Sequence, residues 1–272
     1  VSNGAWSLTS GARVFLASGG GTTATPPPIS GNSSIVLGYA VGANAIKFGP
    51  EPPIQLEYLN PTLVVYPDAH PESTSVDGYT LRYGAATDWA TLIAMTGNTA
   101  NDSDTDITVT FHSAIAQDQW ERISRIILLF DTSALPDNAT IISATLEIYG
   151  KQSNSSPPRN PALNVYSSDP ASNTGLVAAD HSSLGSTPLC DTAIAQGDWN
   201  ISGYNAFVLN AAGLAAISKT GITKLGLRDA NYDVAASAPP WLASTINSIS
   251  GHSADNADGR SKAPKLTITY SI

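Results

Sequence analysis

The sequence is short of sulfur, of charge and above all of positive charge. One cysteine, Cys190, occurs in 272 residues. It has no partner for an intramolecular disulfide and no companions for a cysteine-ligated zinc or iron–sulfur centre, so the fold is expected not to depend on oxidation. Charged residues make up 13 %, with Lys and Arg totalling 13 against 22 Asp and Glu, a net charge of −9. Phosphate contacts need clustered basic side chains, and no basic run occurs, so nucleic acid is not an expected partner. No apolar run reaches the roughly 18 residues that span a bilayer. The opening VSNGAWSLTSG has neither a basic region nor an apolar run, so no signal peptide or membrane partner is expected. Because the chain begins at Val, processing of its N-terminus stays open.

Signatures of catalysis are also missing. His70, His112, His181 and His252 are far apart, without the spacing of a metal helix, and read as surface histidines. There is no G-x-S-x-G, and Cys190 lacks a flanking motif and reads as a small buried residue. The chain is expected not to be an enzyme, and no catalytic residue is assigned.

What the sequence does hold is turn chemistry and strand pattern. Its 22 glycines and 18 prolines punctuate short apolar stretches. The clearest lies within Trp120–Tyr149. Ile126 to Phe130 are five consecutive large apolar residues between Arg125 and Asp131, the pattern of a strand buried on both faces. Pro136-Asp137-Asn138 supplies a turn. An alternating strand follows, with Ile142, Ala144, Leu146 and Ile148 on one face and Ser143, Thr145, Glu147 and Tyr149 on the other. This pair predicts the middle of a β-sandwich.

Two domains are expected. Residues 1–57 read as a small β module with strands at Ala12–Ala17, Ser34–Val41 and Ala45–Phe48, too small to bury much apolar area alone. Between these lie a Thr22–Pro28 loop and a Gly42–Asn44 turn, and Ile54–Leu59 is a last strand or lead-out. Residues 58–272 read as the main domain, with strands at Thr62–Pro67, Thr80–Tyr83, Trp89–Ala94, Ile107–Phe111, Ala162–Tyr166, Ala206–Leu209, Ile222–Arg228 and Leu266–Ile272. Asn210–Ser218 is the one helix expected. Asp169–Gly197 and Asp229–Asp258 read as long loops that either bind a partner or pack. The fold class is therefore all-β: a jelly-roll β-sandwich preceded by a small N-terminal β module, with at most one short helix.

Two resemblances attach to these residues. Gly38-Tyr39-Ala40 and Ile46-Lys47-Phe48-Gly49-Pro50, behind a Thr/Pro-rich loop, resemble a short β module of tailed-phage structural and virion-surface proteins. Arg125, Phe130-Asp131, Pro136, the run Ile142–Tyr149 and Pro264–Tyr270 resemble the DNRLRE-type jelly-roll domains, which are similar in architecture to carbohydrate-binding modules. Together they imply a virion structural protein on the particle surface: a capsid decoration, head-fibre or tail-associated component. Its expected partners are its own copies, as a homo-oligomer and specifically a trimer, and a capsid or tail protein. The alternative they imply is a carbohydrate-binding module of a secreted or cell-surface protein, with surface glycans as partner.

Two candidate sites follow from residue chemistry. Trp89, Trp199, Tyr204, Tyr232 and Trp241 lie in or beside loops, where aromatic faces could stack on pyranose rings as a glycan platform; equally, they could pin loops onto the sandwich. Asp102, Asp104 and Asp106 alternate in a loop as calcium ligands do, although the glycine and distal glutamate of a calcium loop are missing. Asp255, Asn256 and Asp258 form a second such group. Calcium is the one cofactor the sequence leaves open.

Overall fold

In the computed structural model the chain divides into two compact units, Val1–Leu59 and Asn60–Ile272. The structure describes residues 60–272 and, before them, the backbone of four strands. These are β1 (Arg13–Leu16), β2 (Thr22–Thr23), β3 (Val36–Gly42) and β4 (Ala45–Lys47), an antiparallel sheet in the order β2-β1-β3-β4. Thr22–Thr23, expected in a loop, pairs with Phe15 and Leu16. The remaining N-terminal assignments, including the 42–44 turn, residues 48–50 and the 54–59 stretch, fall wholly or partly outside the described residues.

The second unit is all-β. Its strands are β5 (Thr62–Val65), β6 (Asp77–Thr87), β7 (Thr99–Asn101), β8 (Asp106–Ser113), β9 (Trp120–Asp131), β10 (Thr140–Asn154), β11 (Ala162–Ser167), β12 (Ile194–Ala195), β13 (Tyr204–Val208), β14 (Ile222–Asp229), β15 (Ile246–His252) and β16 (Lys265–Ser271). They form one curled antiparallel sheet ordered β12-β11-β14-β9-β8-β15-β10-β16-β5, with β6 also on β9, β7 on β6 and β13 on β10. The result is a β-sandwich of jelly-roll-like form.

Strand β9 sits at its centre. Its first half pairs with β8 and its second half with β14, while β6 runs along its other side. Ile126, Leu128 and Phe130 enter the main core with Leu146, Ile148, Phe207, Leu225 and Ile268. Ile127 and Leu129 face the opposite way into a second cluster with Val76 and Leu184. All five are essentially unexposed, and each such burial stabilises by about 1.5–3 kcal/mol.

Strand β10 makes the corner. Thr140–Glu147 pairs with β16, and Gly150–Asn154 pairs with β15 beyond a bulge between Gly150 and Gln152. Gly150 is needed there, because a Cβ would collide with the Asn200 carbonyl and crowd the Trp199 indole nitrogen. A second bulge between Ile141 and Ser143 changes which residue faces the core. Ile142, expected to point inward, is 44 % exposed, and Ile141 packs on the core in its place.

Further expectations are corrected. Trp89–Ala94 is not a strand but a short helix, α1, started by Asp88, whose Oδ1 accepts a 2.9 Å hydrogen bond from the Thr91 amide. The expected helix is present as α2 (Ala211–Ala215), capped in the same way by Asn210, so the sandwich carries two short α-helices where at most one was expected. The stretch read as a 229–258 loop contains β15, a central strand. At the C-terminus, Leu266 and Ile268 are fully buried, whereas Ile272 is 77 % exposed.

Candidate functional site

The five aromatics expected as a glycan platform fall in two places, Trp89, Tyr232 and Trp241 together and Trp199 and Tyr204 apart from them. Trp89 and Trp199 are buried, at 3 % and 6 % exposure. The Trp89 indole donates to the Tyr232 carbonyl (3.0 Å), and its ring packs edge-on against Phe111 and Trp120. The Trp199 indole donates to the Ser250 carbonyl (3.1 Å). Half-buried Trp241 donates to the Ala114 carbonyl (3.2 Å), and Tyr232, also half-buried, packs edge-on against Phe111. Tyr204 lies elsewhere, with Lys265 Nζ 4.1 Å from its ring centre and its hydroxyl donating to the Ser261 carbonyl. Trp89, Tyr232 and Trp241 pin the 230–242 segment onto β8 and α1, while Trp199 and Tyr204 hold segments near β15 and β16. Trp89, Tyr232 and Trp241 thus join one cluster with Phe111 and Trp120, and Trp199 and Tyr204 lie outside it.

Charged side chains act as brackets too. The Arg125 guanidinium makes a bidentate pair with Asp233 at 2.7 and 2.8 Å, and also donates to the His181 and Ile93 carbonyls. Arg228 makes a second bidentate pair with the same carboxylate, both contacts at 2.8 Å, and donates to the Gly185 carbonyl. Burial alone would raise the Asp233 pKa, but hydrogen bonds from Arg228 and Arg125 overcome it and hold the carboxyl below its usual range. His181 is fully buried rather than on the surface. Its Nδ1 lies 3.2 Å from Thr80 Oγ1, and burial, reinforced by Arg125, lowers its pKa to about 3 and keeps it neutral. Arg159 is buried and donates to the Pro240 and Thr245 carbonyls, Asn247 Oδ1 and Ser113 Oγ.

The long 169–197 stretch is therefore packed. Besides His181 it buries Asp180, Leu184, Leu189 and Cys190. Burial pushes the Cys190 thiol up to about 12, which leaves it protonated and unreactive at neutral pH.

The expected calcium triad does not converge. Asp102 Oδ2 accepts from the Leu176 amide (2.8 Å), Asp104 Oδ2 lies 3.4 Å from the Tyr79 hydroxyl, and Asp106 pairs with Lys151. Asp258 pairs with Lys262, and Asn256 donates to the Ser253 and Gly259 carbonyls. Two of these six residues instead join a different group. Asp102 meets His70 and Glu72, their ligand atoms all within 4.8 Å of one another. Asp255 Oδ1 accepts from the His70 amide at 2.6 Å. Asp77, the first residue of β6, lies beside it, its Oδ2 accepting from the Ala254 amide next to Asp255. Burial raises the Asp77 pKa to about 8, with the charges of Asp255 and Glu72 adding to it. No spacing rule could have found this group, because its residues come from three chain segments.

Among the described residues no helix is long and apolar enough to cross a membrane. No protein-family model and no curated protein matches the chain.

Proposed function

We propose that this chain is a non-enzymatic structural protein of a tailed-phage virion, a capsid decoration, head-fibre or tail-associated component that displays a DNRLRE-like jelly roll outward. The observation that carries the reading is the use made of the sandwich's polar side chains. Arg125, Arg159, Arg228, Asp233 and His181, which elsewhere would be candidates for chemistry, are buried and spent on holding long loops against the sheet. Such bracing suits a passive, durable display domain. The two-unit organisation fits the same reading: a small unit with four described strands precedes the large sandwich. A unit that small gains most of its stability from a neighbour, and a trimer contact or a coat protein would supply one.

The test is assembly. Full-length protein and a form starting at Asn60 are each added to particles that lack the protein, and the bound fraction is measured after sedimentation. The full chain is expected to bind and the truncated form to remain free. Equal binding of both would remove the anchoring role, and Trp-dependent retention on a polysaccharide with no particle binding would favour a carbohydrate-binding module instead.

A further inference from the structure

Four carboxylates gather at one end of the sandwich, where the 66–76 loop, the end of β7 and the loop after β15 meet. Glu72 and Asp102 have their ligand atoms within 4.8 Å of each other and of the His70 ring nitrogen, while Asp255 beside them accepts from the His70 amide and Asp77 accepts from the neighbouring Ala254 amide. The Glu72 side chain is only 2 % exposed and Asp77 is 0 % exposed. Each leaves one oxygen buried with no hydrogen-bond donor, Oε1 of Glu72 and Oδ1 of Asp77. Asp255 Oδ2 and Ser75 Oγ are buried and unpartnered in the same neighbourhood. Among the described residues, no Lys or Arg pairs with any of the four carboxylates, and Glu72 meets only His70 Nδ1 at 3.0 Å. Buried carboxylate oxygens without donors are costly, and several together repel one another. A cation removes both penalties.

We propose that Glu72, Asp77, Asp102 and Asp255 hold a divalent cation, and that the cation is calcium. Calcium takes six to eight hard oxygens in flexible geometry, which suits carboxylates brought from separate loops. His70 acts as a positioning residue: its amide fixes Asp255 and its Nδ1 orients Glu72. Asp68 shapes the loop that delivers Glu72, its Oδ2 accepting from the Ser73 and Thr74 amides at 3.0 and 2.6 Å. The ion would tie three loops together at one edge of the sheet, where the buried arginines do not reach.

The full chain is stripped with a chelator, then titrated with calcium chloride by calorimetry and followed in parallel by thermal unfolding. One calcium per chain is expected, with the transition temperature rising with calcium. At free calcium a hundred-fold above Kd, the folding equilibrium constant gains about a hundred-fold. Glu72→Gln, similar in shape but without the charge, is expected to weaken binding at least ten-fold, roughly the loss seen on disturbing a metal's supporting shell. Asp102→Asn is expected to do likewise, in case Glu72→Gln fails to fold. The double variant Asp104→Asn/Asp106→Asn, outside the cluster, should bind as the parent does. Absence of calcium uptake and of any thermal shift in the stripped parent overturns the proposal. So does a loss in the Asp104/Asp106 variant equal to that in Glu72→Gln, or preferential uptake of zinc or manganese, which would make the imidazole a ligand.

Discussion

Asp233 carries two guanidinium groups on one buried carboxylate, and removing its charge leaves Arg125 and Arg228 buried without a counter-ion. Asp233→Asn is expected to cost about 3–5 kcal/mol, the usual penalty for breaking a buried ion pair from one side, read as a lower urea midpoint. Asp229 predicts the opposite outcome. Burial raises its pKa to about 7; its Oδ1 accepts from the Ala162 and Asn231 amides, while Oδ2 is buried without a partner. Between its unfolded value of about 3.9 and its folded value, the native state binds the extra proton, so this residue's contribution to stability falls as pH rises across that window. Asn keeps the accepting oxygen and places an amide where the unpartnered oxygen was. Asp229→Asn should match the parent near pH 4 and exceed it increasingly up to pH 7, by up to about 4 kcal/mol, in denaturant melts run across that range. His181 works with the opposite sign: its folded pKa lies below its unfolded one, so its contribution is complete above pH 6.5 and is lost as pH falls toward 3. It is common to both proteins and cancels in the comparison. Little of this residue-level account was legible in the sequence. Arg125 stood out beside its apolar strand, but Asp233 lies 108 positions away in a stretch read as loop. The loop tryptophans could be recognised as anchors or platforms, and only packing decides between those two roles.

Strand β10 offers a test within a single element. Leu146 is fully buried and Ile142, four residues earlier, is 44 % exposed because it sits in the bulge between Ile141 and Ser143. Leu146→Ala is expected to cost about 2–5 kcal/mol, whereas Ile142→Thr should stay within about 0.5 kcal/mol. An uninterrupted alternation would make both costly, so the pair of denaturation midpoints reports the bulge directly. Gly150→Ala should cost about 1–3 kcal/mol, as overpacking does, because the Asn200 carbonyl occupies the space a Cβ needs. At this scale the sequence was informative wherever apolar alternation was strong, as in β8, β9, β10 and β16. It failed at β15, where Ile249 alone enters the apolar core and the buried residues around it, Asn247, Ser248 and Ser250, are polar. Asn247 is satisfied by Arg159 and Gln196, Ser248 by Asn154 and Ser250 by the Trp199 indole and Thr108. A strand buried through hydrogen bonds leaves no period-2 apolar signal. At α1, Trp89, Leu92 and Ile93 gave the apolar density of a strand, and the Asp88 cap, visible in sequence, was the overlooked sign of a helix.

At the scale of the whole molecule, the sandwich has its own core, and the β5–β16 and β9–β14 pairings close it without the N-terminal strands. Residues 60–272 expressed alone are therefore expected to unfold in one cooperative transition with the β-rich circular dichroism of a sandwich. The all-β class was legible because short strands and turn residues alternate through most of the chain. The carboxylate cluster was not, because chain reversals assemble it from positions up to 185 residues apart. The virion reading is most directly tested by mass spectrometry on density-purified particles from the native source, quantified against the major coat protein. The account predicts a fixed, symmetry-compatible copy number per particle. Absence of the protein from particles, with the chain recovered free or on cell walls, would contradict it.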